Sequence, residues 1–152
     1  MLPEDTFRKQ QNRFRADLEA WAKEMADCAE ISYGSVGDGW SINAQPVVAT
    51  ACPFELVMRP DQKFDAQIGG QMYEDLAFEN ADLPKIARAI SEGRVMTRHW
   101  QSVVTGLGYS IETIVDLGGG DTWRVQTQTS EMPPSDDDEL MARPTAFVPY
   151  RR

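Results

Sequence analysis

The chain has 152 residues, four of them tryptophan, and a formal net charge of −9. That length suits one sizeable core needing neither metal nor disulfide, since a domain of about 150 residues buries roughly 70% of its unfolded surface. The charge excludes binding to nucleic-acid phosphates, which needs clustered Lys and Arg, and no apolar run reaches signal-peptide or membrane-spanning length, so a cytoplasmic chain with no membrane role is expected.

In chain order, Pro3 to about Ala29 reads as one long helix. Pro3 suits a first helical position, and Glu4 and Asp5 meet the positive end of the helix dipole. Phe7, Phe14, Trp21 and Cys28 recur every seven residues, with Gln11, Leu18 and Met25 interleaved, giving one apolar stripe. Aromatics at these places fit a helix laid across a sheet better than a coiled-coil seam; a dimer-forming helix is the second reading. Cys28 falls late on this helix and Cys52 beside Pro53. Neither belongs to a CxxC motif, so both are expected as buried reduced thiols.

The Gly- and Ser-rich stretch from Ile31 to Pro46 predicts a turn plus one irregular strand, and Pro46 to Phe54 a short buried strand ending at Pro53. Phe54, Leu56 and Met58 alternate with Glu55, Val57 and Arg59 in the next strand, and Pro60-Asp61 turns the chain. A hairpin follows, with Phe64, Ala66 and Ile68 on one arm, a Gly69-Gly70 turn, and Met72 to Phe78 on the other. Asp82 is a candidate N-cap for a short helix buried through Leu83, Ile86, Ala87 and Ile90 and stopped at Gly93. Three strands in a meander come next: Arg94 to Thr105, Tyr109 to Leu117, and Thr122 to about Gln128. In the first, Met96, Trp100 and Val104 share one side and Val95, His99 and Val103 the other; in the second, Ile111, Thr113, Val115 and Leu117 share a face.

Strands that do not alternate with helices, joined by turns too short for crossovers, give the fold class α+β. The expected architecture is a long N-terminal helix packed on antiparallel sheet, built of two strand groups separated by a short helix. Residues 1–130 form the expected domain; residues 131–152, acidic and Pro-rich, are expected to be mostly disordered or loosely docked.

Candidate chemistry is sparse. The stretch from Ile111 to Asp121, IETIVDLGGGD, resembles the first motif of class I S-adenosylmethionine methyltransferases, which implies a strand running into a Gly-rich loop that opens a helix and meets the cofactor. Here the loop leads into strand-like TWRVQTQT with 31 residues left, so a hairpin turn and no cofactor are expected. His99 is the one histidine, so a His-based metal site is excluded, and a general-base role needs a nucleophile brought by the fold. Asp136 to Glu139 is a contiguous acidic run, unlike the spaced oxygens of a calcium loop, and is expected to stay solvated. Asp65, Glu74 and Asp75 share a hairpin and are expected as its polar outer face.

The acids are uneven: ten lie between Asp27 and Asp82, against Arg59 and Lys63 alone. With no catalytic, cofactor or metal residue singled out, the expected function is a non-catalytic protein-interaction module, with a protein partner and a possible homodimer. It would present an acidic sheet surface or an apolar groove. In element order, size and low pI it resembles secretion-type chaperones and immunity proteins, by pattern and without a shared motif. The alternative is a small ligand-binding or enzymatic domain of the cone type, a curved sheet around the long helix, with Trp21, His99, Tyr109 and Trp123 as pocket lining.

Overall fold

The computed structural model describes residues 1–130 and 134–151. The first helix, α1 (Glu4–Glu24), starts after Pro3, carries Glu4 and Asp5 in its first turn, and has Lys23 in its last. It is shorter than its apolar stripe. Met25 closes it, accepting from the N–H groups of Cys28 and Ala29, so the buried side chains of Met25 and Ala29 continue the stripe through a turn. Cys28 lies in that turn, half-buried, and not on the helix.

Five antiparallel strands follow in sequential order: β1 (Ala29–Val36), β2 (Gly39–Pro46), β3 (Phe54–Met58), β4 (Lys63–Ile68) and β5 (Gln71–Ala77). The Gly-rich stretch expected to hold one irregular strand is a full hairpin, β1 pairing with β2 from Ala29↔Pro46 to Val36↔Gly39. Its turn needs Gly37, whose φ is +57°. The pattern was weak because Ser32, Gly34 and Ser35 interrupt the apolar Ile31, Tyr33 and Val36 along β1, an edge strand. Residues 47–53, expected as a short strand, form a loop held by backbone hydrogen bonds such as Gly69 N to Pro53 O and by an isolated parallel bridge, Ala51↔Val148.

Alternation places Trp40, Ile42, Ala44, Phe54, Leu56, Met58, Phe64, Ala66 and Ile68 on one face, all buried. The helix covers this face. Trp21 packs on Phe54 at 5.6 Å, and Phe7 and Phe14 meet Phe78, which follows β5, at 5.0 and 5.3 Å. The second helix, α2 (Leu83–Ser91), is capped by Asp82, whose carboxylate accepts from Lys85 N at 3.2 Å, and stops before Gly93 at φ +79°.

The second sheet has the order β8-β7-β6-β9, with β6 (Val95–Ser102), β7 (Gly108–Gly118), β8 (Asp121–Gln128) and β9 (Leu140–Ala146). The expected meander is present. Within it Val95, Thr97, Thr113 and Val115 face inward, whereas Val103 and Val104 lie beyond β6 in an exposed loop. The glycine run at Gly118–Gly120 makes the β7–β8 hairpin turn, all three residues at positive φ, and no helix follows it. The two sheets meet where the Tyr73 hydroxyl hydrogen-bonds the Thr113 hydroxyl at 2.6 Å and Phe64 packs on Trp123 at 6.2 Å.

The segment expected to be disordered or loosely docked differs most. Residues 131–133 and 152 lie outside the described residues. Of the rest, β9 pairs with β6 along its length, from Ser102↔Leu140 to Met96↔Ala146. Beyond it Phe147 to Arg151 form a strap. Val148 N donates to Thr50 O, Tyr150 N to Ser91 O, and the Tyr150 hydroxyl to Cys52 O at 2.6 Å. Tyr150 is 1% exposed. Composition misleads here because a few well-seated residues, Phe147 and Tyr150, outweigh the prolines and acids around them.

Candidate functional site

With α1 on one face of the five-stranded sheet, the alternate side chains form an open face. Its exposed residues include Glu30, Ser32, Gln45, Gln67, Met72 and Glu74, and Ser41, Asn43, Glu55, Val57 and Asp65 are half-buried. The register brings Ser32, Asn43, Glu55, Gln67 and Met72 into one row across all five strands. Hydrogen bonds fix its centre: Asn43 donates to Glu55 at 3.0 Å and accepts from Gln45, two residues along β2, at 3.2 Å. Asn43, Gln45, Glu55 and Gln67 then line a shallow hollow of about 120 Å³ with Pro53, Phe54 and Gly70 at its end. A hollow of this size takes one side chain; small-molecule sites run from about 300 to 1,000 Å³.

At the other end of the same face, Arg59 meets three carboxylates: Asp75 at 2.5 Å, Asp61 at 2.6 Å and Asp65 at 3.4 Å. Hydrogen bonds to Asp75, then Asp61, raise the guanidinium pKa further above its ordinary value. Lys63 and the Met1 amine, the latter paired with Glu79, stand at the same corner, so Asp61, Asp65, Asp75 and Glu79 outnumber the cations there by one. Asp75 sits in a bulge of β5 with φ +58°, where Asp65 also accepts from its N–H at 3.0 Å. The expectation that Asp65, Glu74 and Asp75 belong to one hairpin's polar face therefore gains a specific partner, Arg59, that spacing in sequence does not reveal.

The four residues expected to line a pocket lie in different places. Trp21 is buried against Phe54 and donates from Nε1 to Ser91 Oγ at 3.3 Å; with Met25, Arg88, Pro149 and Arg151 it borders an open cleft of about 280 Å³. Trp123 packs on Phe64 at the seam between the sheets. His99 stands mid-strand on β6 between Ile111 and Arg143. Tyr109 donates to Asp138 at 3.0 Å, which also accepts from Ser102 at 2.7 Å. Thus one member of the acidic run expected to be solvated is tied down by two hydroxyls. Trp21 and Trp123 reach one buried cluster, and Tyr109 borders a different hollow with Ser110, Gln126 and Leu140.

Cys52 is fully buried, and desolvation pushes its thiol up to about 12. Burial also raises the Cys28 thiol; the Arg151 guanidinium opposes the shift and the Asp27 carboxylate adds to it. Neither is poised as a thiolate nucleophile. Among the described residues no group of three or more His, Cys, Asp or Glu side chains is placed to hold a metal ion, and no helix is long and apolar enough to cross a membrane.

No protein-family model, characterised protein or solved structure matches this chain.

Proposed function

We propose that the chain is a non-catalytic protein-interaction module whose open five-stranded face docks a partner carrying basic side chains. The observation that carries this reading is the hydrogen-bonded chain Gln45–Asn43–Glu55 beside its hollow, on a face whose Arg59 corner keeps an acid surplus. A carboxylate fixed by one amide donor, with three further amide or carboxylate groups around a space for one side chain, suits a lysine or arginine head. Charge-assisted hydrogen bonds would supply specificity, and the wider acidic field would supply steering.

The test is affinity capture from the cells that make the protein, run with the native chain and with a Glu55→Lys/Glu74→Lys variant. Both positions are on the open face and outside the core, so the variant should keep the native fold and lose only the Asn43–Glu55 hydrogen bond, about 1 kcal/mol. A basic partner should be retained at low salt by the native chain, released as salt shortens the Debye length below about 8 Å, and lost in the variant. Capture unaffected by either change would sink the proposal.

A second reading, ligand binding, has one observation in its favour: the Trp21 cleft, about 280 Å³, has an aromatic floor and two arginines, Arg88 and Arg151. Both are engaged, Arg88 with Glu24 at 3.3 Å and Arg151 with Asp27 at 2.6 Å. A metabolite panel read by thermal shift decides it, since a ligand at about 100 times its dissociation constant adds roughly 2.7 kcal/mol.

A further inference from the structure

The two sheets have four edges, and three are protected. The β5 edge carries the Asp75 bulge and lies at the seam with the second sheet, as does β8, which bears Asp121 and Arg124. The β9 edge contains Arg143 and Pro144, and proline cannot donate to an added strand. The β1 edge has no proline, no bulge and one charge, Glu30, near its start.

The register identifies which backbone groups point outward. Val47 N donates to Cys28 O, so Cys28 is a hydrogen-bonded partner of β2's continuation, and by alternation so are Glu30, Ser32, Gly34 and Val36. Ile31, Tyr33 and Ser35 therefore direct both N–H and C=O away from β2, and no described strand pairs with them there. The side chains beside this edge are apolar and open: Tyr33 is 42% exposed although its ring lies 5.9 Å from Trp40, and Ile31 is half-buried. At the centre stands Gly34, which the fold itself does not demand. A Cβ there would meet nothing within 4 Å, and its φ is outside the left-handed region. Glycine inside a strand without a local reason marks a close approach by another backbone.

We infer that β1 pairs antiparallel with β1 of a second copy, across a two-fold axis at Tyr33, joining the two five-stranded sheets into one. In this register Tyr33 exchanges both hydrogen bonds with its counterpart, and Ile31 exchanges both with Ser35. The two Tyr33 rings stand directly opposite on the helix-covered face, an aromatic cross-strand pair. Ser32 opposes Gly34, so the open side of the joint is narrow. Glu30 opposes Val36, which places the two Glu30 carboxylates about six residues apart, roughly 20 Å at about 3.4 Å per residue and beyond the physiological Debye length. A second copy is thus compatible with β1 in shape, hydrogen bonding and charge. A parallel neighbour would lack this symmetry. The inference stands on the strand edge and is independent of the Glu55 hollow on the sheet's open face.

The test is the mass of the full chain in solution by analytical ultracentrifugation over a concentration series. The native chain should move from one to twice the monomer mass as concentration rises. Ser35→Pro should stay monomeric while keeping the native far-UV spectrum and melting profile, because the N–H it removes points outward. In a Cys28→Ser background, Tyr33→Cys should oxidise to a disulfide-linked dimer and Glu30→Cys should not, since paired Cα atoms lie within the roughly 4.4–6.8 Å that a disulfide spans only at Tyr33. Glu55→Lys should dimerise as the native chain does, which separates this inference from the docking proposal. A native chain that remains monomeric, a dimer indifferent to Ser35→Pro, or cross-linking at Glu30 in preference to Tyr33 would each overturn it.

Discussion

Tyr150 does more for the fold than its place near the chain's end suggests. Its ring is sealed beside Cys52, Trp21 and α2, and its hydroxyl satisfies the Cys52 carbonyl, an acceptor that would otherwise be buried unpaired. Burial holds the Tyr150 phenol well above its ordinary range and the Cys52 thiol up to about 12, against an ordinary 9.0. Both groups thus stay protonated in the folded chain at pH values where the unfolded chain has lost those protons. The stability they contribute is complete below about pH 9 and is lost as pH rises toward 12. Urea melts from pH 8 to 11 should show this alkaline fall, and Cys52→Ala should flatten the slope by up to about 1.4 kcal/mol per pH unit, one proton's worth. Parallel slopes for the two proteins would show that the thiol is not sealed.

At the level of elements, the C-terminal strand and strap act as a clasp. β9 completes the second sheet against β6, and Phe147 to Arg151 then cross the loop before β3, the end of α2 and the end of α1. Two glycines make room for it. A Cβ on Gly93 would lie 2.8 Å from Pro149 N, and one on Gly69 would lie 2.9 Å from the Phe147 ring. Removing residues 133–152 should therefore cost at least the burial of Tyr150, about 3–5 kcal/mol for a large aromatic. At about 2–4 °C per kcal/mol for a chain of this size, the melting temperature should fall by roughly 6–20 °C. The bared β6 edge should also promote aggregation. An unchanged melting temperature would show that the clasp bears no load.

For the molecule as a whole, local pattern and long-range placement divide cleanly. Elements with a strong internal period were legible from the chain: the aromatic stripe of α1, the alternation Phe54–Leu56–Met58, the capped α2 and the Gly-punctuated meander β6–β8. Each is specified by residues within a few positions of one another, so propensity, capping and turn chemistry suffice. The β1–β2 hairpin was only half legible because Ser32, Gly34 and Ser35 break the apolar pattern of its outer strand. What the sequence by itself determined is the α+β class, the helix-on-sheet packing and the acidic balance of residues 27–82. Only the tertiary structure decided that β9 joins β6, that Tyr150 closes over Cys52, that Arg59 gathers Asp61, Asp65 and Asp75, and that Gln45, Asn43, Glu55 and Gln67 share a hollow. These contacts join residues distant in sequence, and each depends on the register of strands whose side chains change face with every one-residue slip. No local rule carries that information, because the energy that selects it appears only once the sheets are assembled.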